Sequence, residues 1–176
     1  MGNLKSRKKG QIWIETVTYT LIAFVLIGLI LAFVKPKIDE LQDKALIDQS
    51  INVLKQIDSV MNEVYNEGVG NKRMVEVLIR DGSITFNSTS TSISFLFEGN
   101  YMYSEPDLRY KEGSFDVLTT KVGSTYKVLV KKDYPNFNLT YFGRENSKTL
   151  SKSTTFYELF ISNKGGTSQI IDFSIK

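Results

Sequence analysis

The sequence predicts an α+β protein: a long N-terminal helix, first transmembrane and then amphipathic, followed by an antiparallel β-sandwich domain. Three observations carry this. An uncharged stretch of 19 residues runs from Thr16 to Val34. Apolar residues then recur every three or four positions as far as Val64, the period of one helix face. From Arg73 the period drops to two, with turn residues at short intervals, which is the pattern of half-buried strands. The expected organisation is a basic leader over 1–10, a transmembrane helix over 11–35, an amphipathic stalk helix over 36–70 and a β-sandwich over 71–176.

The apolar segment comes first. A helix needs about 20 residues to cross the hydrocarbon core, and Gln11 to Val34 contains one charged side chain, Glu15. Eleven of the residues in 21–34 are Leu, Ile, Phe or Val. At roughly −0.3 to −0.6 kcal/mol each, they contribute about −3 to −7 kcal/mol to insertion. Glu15 lies near one end, where an acid costs less than the roughly 3 kcal/mol it costs at mid-membrane. Insertion wins. A cleaved secretory signal has a shorter apolar region ending in a small-residue site, and Ala32-Phe33-Val34-Lys35-Pro36 offers none.

Charge sets the orientation. Residues 1–10 carry Lys5, Arg7, Lys8 and Lys9 and no acid, while the rest of the chain holds 18 basic against 19 acidic side chains. A basic cluster before an apolar helix stays cytoplasmic, which places residues 37–176 outside. Positive charge confined to a short leader argues against nucleic acid as a partner. The chain contains no cysteine and no histidine, so disulfides, thiol nucleophiles and the commonest general base and metal ligand are excluded. An enzyme is not expected, and neither is a cofactor or a metal.

Lys8-Lys9-Gly10-Gln11, with Glu15 ahead of an uninterrupted apolar run, resembles the class III signal of archaeal type IV pilins over residues 5–35. The resemblance implies that a prepilin peptidase cuts between Gly10 and Gln11 at the cytoplasmic face, so that Glu15 becomes the fifth mature residue. It also implies an assembly role for Glu15, pairing with the α-amine of Gln11 in a neighbouring subunit. An ionisable group among apolar side chains needs such a partner. The alternative is an uncleaved signal anchor whose Glu15 reaches the headgroups.

Beyond the membrane, Ile38, Leu41, Ala45, Leu46, Val53, Leu54, Ile57, Val60, Met61 and Val64 form an apolar stripe, with Asp39, Glu40, Lys44, Asp48 and Lys55 on other faces. Pro36 is expected to kink or interrupt the helix, and Gly68 and Gly70 to end it. From Ile12 to Asn66 such a helix spans about 80 Å at 1.5 Å per residue. Residues 50–66 are expected to pack under the chain's own β-domain, and the resemblance to pilins implies that residues 12–34 pack against other subunits in a polymer.

In the β-domain, Val75, Val77 and Ile79 alternate with Glu76, Leu78 and Arg80, and Asp81-Gly82 reads as a hairpin turn into Ile84 and Phe86. Further strands are expected over 92–98, 114–121, 124–132, 136–142, 153–162 and 168–175. About eight short strands suit a sandwich. The aromatic residues are chiefly core, and Gly99–Pro106 is the best candidate for an exposed binding loop. Two acceptor sequons, Asn87-Ser88-Thr89 and Asn138-Leu139-Thr140, make Asn87 and Asn138 candidate glycosylation sites.

The expected function is that of a pilin, a structural subunit of a surface filament with a possible role in adhesion. Its partners are then the prepilin peptidase, other pilin subunits, the assembly machinery and, before assembly, membrane lipid. A minor pilin, an archaellin-like subunit or a non-polymerising signal-anchored binding protein are the competing readings.

Overall fold

The computed structural model describes the backbone of residues 5–166 and 168–176, and side chains from Ile12 onward. Residues 1–4 lie outside the described residues, as do the side chains of Lys8, Lys9 and Gln11. Among the described residues there is one helix, α1 (Lys5–Glu67), and ten strands. The chain forms two compact units, Met1–Glu40 and Leu41–Lys176, and α1 contributes to both. The fold class is α+β, as the sequence predicts.

α1 continues through Pro36, so the interruption allowed for there does not occur. Proline deletes one i→i−4 bond and crowds the preceding turn, at a cost of about 3 kcal/mol. That loss is local, and the turns on either side keep their own bonds. The helix stops at Glu67 because Gly68 adopts φ +92°, a left-handed conformation that glycine enters without penalty.

In the second unit, α1 buries Ile47, Ile51, Leu54, Ile57, Met61 and Val64, all at 1% exposure or less. The spacing of three and four keeps them on one face. This corrects the upper part of the expected stripe. Ile38 and Leu41 are exposed, and Ile47 and Ile51 are the residues that turn inward. Each buried aliphatic side chain contributes about 1.5–3 kcal/mol relative to exposure, so this half of the helix is held by its own chain.

Ten strands form two sheets. β1 (Lys72–Val77), β9 (Tyr157–Gly165), β10 (Ile170–Ile175) and β7 (Asn138–Tyr141) make the first, in the order β1-β9-β10-β7. The second contains β4 (Arg109–Glu112), β5 (Phe115–Val122), β6 (Thr125–Asp133), β3 (Ser92–Gly99), β2 (Ser83–Asn87) and β8 (Lys148–Ser151), in that order. Pairing is antiparallel except between β10 and β7. Their parallel contact is fastened by Asp172, whose buried Oδ1 accepts from Thr140 Oγ1 at 2.7 Å and from the Gly143 amide at 2.6 Å.

One expected hairpin is absent. β1 pairs with β9 and β2 with β3 and β8, so Leu78–Gly82 carries the chain from one sheet to the other. Asp81 does cap the turn, accepting from the Gly82 amide at 2.8 Å. Pairing β1 with β2 would put Val75, Val77, Ile84 and Phe86 into a single sheet. Crossing over lets them enter the core from two opposed faces, as a sandwich requires. The Phe86 and Phe173 rings meet between the sheets with centroids 4.6 Å apart. β4 and β8 escaped the sequence reading because their residues are largely exposed and polar, with Leu150 alone buried.

Two polar contacts lock α1 to the sheets. Lys132 on β6 bonds both oxygens of Asp58 at 2.6 and 2.7 Å, and the Tyr134 hydroxyl donates to Asp58 Oδ1 at 2.9 Å. Burial, then the Asp58 charge and hydrogen bond, push the Tyr134 hydroxyl well above its ordinary pKa. At the helix C-terminus, Asn163 on β9 donates to the Val64 carbonyl at 3.2 Å and accepts from the Gly165 amide at 2.9 Å. Asn163 is 1% exposed, so Asn163→Ala strands buried backbone groups at both ends. It is expected to destabilise the unit by about 2 kcal/mol and to speed amide exchange in the last turn of α1, read by hydrogen–deuterium exchange.

Candidate functional site

The first candidate is the apolar half of α1. Between Ile12 and Val34, sixteen large apolar side chains are 42–77% exposed. Contiguous apolar surface on this scale marks a membrane or protein contact, and the segment is long and apolar enough to cross a membrane. Its polar groups are largely satisfied within the helix. The Thr16, Thr18 and Thr20 hydroxyls donate to the carbonyls of Ile12, Ile14 and Thr16 at 2.8–2.9 Å. Threonine hydroxyls closed onto the backbone in this way have their one donor satisfied, which lowers the cost of placing them in lipid. Glu15 sits in this run and makes no side-chain hydrogen bond or ion pair among the described residues. Gly10 and Gln11 fall within the span of α1. Lys37 pairs with Glu40 at 2.7 Å just beyond the apolar run.

A second candidate lies in the unit Leu41–Lys176. A cleft of about 530 Å³ is lined by Lys44 and Asp48 of α1, by Tyr101, Tyr103 and Glu105 of the β3–β4 loop, and by the β4 strand. The loop Gly99–Pro106 expected to bind forms one wall. Sequence reasoning missed the opposite wall, because Lys44 and Asp48 read as solvated positions on a helix. The α1–loop contact is set by Asp43, which accepts from the Asn100 amide at 2.6 Å. Gly99 permits this approach, since a Cβ there would come within 2.6 Å of Asp43 Oδ2 and 2.5 Å of the Phe97 ring.

The floor of the cleft is a short relay. Tyr103 donates to Glu112 Oε2 at 2.5 Å, and Lys55 donates to Oε1 at 3.1 Å. Burial alone would raise the Glu112 carboxyl, but the bonds from Tyr103 and Lys55 and the Lys55 charge together hold it below its ordinary value. Burial first, and then Glu112, lift the Tyr103 hydroxyl far above the usual phenol range. Both groups are therefore locked at neutral pH, carboxylate as acceptor and phenol as donor. Among the described residues no three carboxylates gather to hold a metal.

The two sequons differ in setting. Asn138 is exposed at the start of the edge strand β7, but the sequon hydroxyl of Thr140 is buried on Asp172. Asn87 is half-buried at the end of β2, and its Oδ1 accepts from the Ser90 amide at 3.0 Å, closing the turn that follows. Modification at either side chain has to accommodate these bonds. Phe86, Phe95 and Phe97 are core, at 0–3% exposure, whereas Tyr101 and Tyr103 pack only partly against it.

No protein-family model, curated protein or solved structure matches this chain.

Proposed function

We propose that the chain is a structural subunit of an archaeal type IV pilus-like surface filament. The observation that carries this reading is the exposed apolar half of α1, with Glu15 as its one charge. The buried half of the same helix completes the core of a β-sandwich from Ile47 to Val64. A helix with one half serving its own chain and the other bare needs a second environment. Lipid supplies it before assembly, and neighbouring copies of the helix supply it afterwards. Replacing lipid by helix is close to neutral in hydrophobic terms, so packing and polar pairing decide the outcome. Glu15 gives the polymer a polar preference that lipid cannot match. Cleavage between Gly10 and Gln11 at the cytoplasmic face removes the Lys8-Lys9 leader and frees an α-amine to meet Glu15.

The test is N-terminal mass spectrometry of the native chain, together with incubation of the purified chain with an archaeal prepilin peptidase. The expected product begins at Gln11, and Gly10→Val abolishes its formation. Persistence of Met1 in surface material overturns the proposal. A signal-anchored binding protein that never polymerises is the second reading, favoured by the cleft beside Tyr101 and Tyr103.

A further inference from the structure

The cleft between α1 and β4 is built before any ligand arrives. Its loop wall is tied at the Asn100 amide by Asp43 and in the middle by Thr119 of β5, which is fully buried. Thr119 Oγ1 meets both the Ser104 amide at 3.2 Å and the Ser104 hydroxyl at 2.7 Å, and its carbonyl accepts from the Asp107 amide at 2.8 Å. Asp107 holds φ +63° as part of this anchoring, a strained conformation for a non-glycine residue that surrounding structure must maintain. A loop fixed at three points loses little entropy on binding.

Within that frame the chemistry is mixed. Tyr101 and Tyr103 stand edge to face, centroids 6.3 Å apart at 76°. Tyr110 is 53% exposed at the rim. Lys44, Glu105 and Arg109 line the same cleft, and their side chains make no hydrogen bond or ion pair among the described residues. Lys55 neutralises Glu112 in the floor, which leaves Lys44 and Arg109 against Asp48 and Glu105 among the lining residues, Arg109 being shared with a second depression beside Asp116 and Asp133. The local field therefore favours neither an anion nor a cation.

We propose that this cleft binds a short neutral glycan, one or two hexose units in size. A hexose ring presents C–H bonds on its faces and hydroxyls around its edge. The faces lie against tyrosine rings, whose bodies are apolar and whose tips are polar. Each hydroxyl both donates and accepts, so it can use carboxylates and cationic side chains together, and a cleft carrying both unpaired signs supplies them. The volume lies within the range of small-molecule sites, about 300–1,000 Å³. Binding requires one chain and no polymer, so its failure leaves the filament reading untouched, and failure of processing at Gly10 leaves the cleft untouched.

The experiment uses the full chain in lipid nanodiscs, because a glycoside detergent would itself enter the cleft. It is applied to an array of neutral mono- to tetrasaccharides, sialylated and uronic-acid glycans, and unrelated peptides. Retention on neutral glycans is expected, with competition by the free sugar. Tyr110→Ala and Lys44→Ala each lower the affinity about tenfold, or 1.4 kcal/mol. Both side chains are exposed, so the unfolding midpoint stays in place. Absence of retention on neutral glycans, preference for acidic glycans or peptides, or retention unchanged in both variants overturns the proposal.

Discussion

Chains carrying Glu15→Val are expected to reach the membrane in full amount and to yield no sheared filaments. The substitution removes the one charge between Ile12 and Val34, so insertion becomes easier by up to about 3 kcal/mol. A signal-anchored monomer gains from this change. A filament subunit loses, because the apolar surface that remains is as content in lipid as against another helix. The two readings therefore predict opposite consequences from one side chain. The measurement pairs membrane fractionation with electron microscopy of sheared material, and filaments in wild-type number from the variant count against the assembly role of Glu15. Glu15→Gln refines the result. It keeps the shape and a hydrogen-bonding tip while deleting the charge, so loss of filaments with this variant as well identifies charge as the operative property.

Asp58→Ala is expected to lower the stability of the unit Leu41–Lys176 by about 3 kcal/mol. Asp58 and Lys132 are 13% and 18% exposed, and Asp58 also accepts from Tyr134. Truncation leaves a shielded ammonium and a buried phenol without their acceptor. The neighbouring rings of Tyr134 and Phe115, 5.2 and 5.7 Å from Lys132 Nζ, offset part of the loss. The double replacement Asp58→Leu with Lys132→Met is expected to recover part of the stability, since a shielded ion pair roughly breaks even against apolar residues of similar size while the buried Tyr134 hydroxyl stays without its acceptor. Urea unfolding of the full chain in micelles checks this, followed by near-UV circular dichroism of the tyrosines. Trp13 is the single tryptophan and lies in the apolar span, so its fluorescence reports on the wrong part of the chain. A double variant as weak as Asp58→Ala shows that packing and the lost Tyr134 hydrogen bond, and not the unpaired charge, set the cost.

Local patterns made much of the fold legible. Charge depletion from Thr16 to Val34 specified an apolar span without reference to anything distant. Alternation marked Val75 and Val77, and Gly68 marked the helix end, because its positive φ suits glycine. Periodicity also found the lower helix stripe, from Leu54 to Val64. It misplaced the upper part, since Ile38, Leu41, Ile47 and Ile51 all fit a helical period, and where the β-unit begins to cover the helix decides which of them turn inward.

By itself the sequence determined the placing of one long helix ahead of the strands, the apolar span, its lone acid and the face of the helix that meets the sheets near Val64. Each of these depends on neighbours within a few positions along the chain. Only the tertiary structure decided that β1 and β2 part company into separate sheets, that β7 and β10 run parallel, and that Lys44 and Asp48 share a cleft with Tyr101 and Arg109. The physical reason is one of distance along the chain. Strand partners and cleft walls are chosen by which apolar faces can be buried together, and residues more than fifty positions apart meet through that burial.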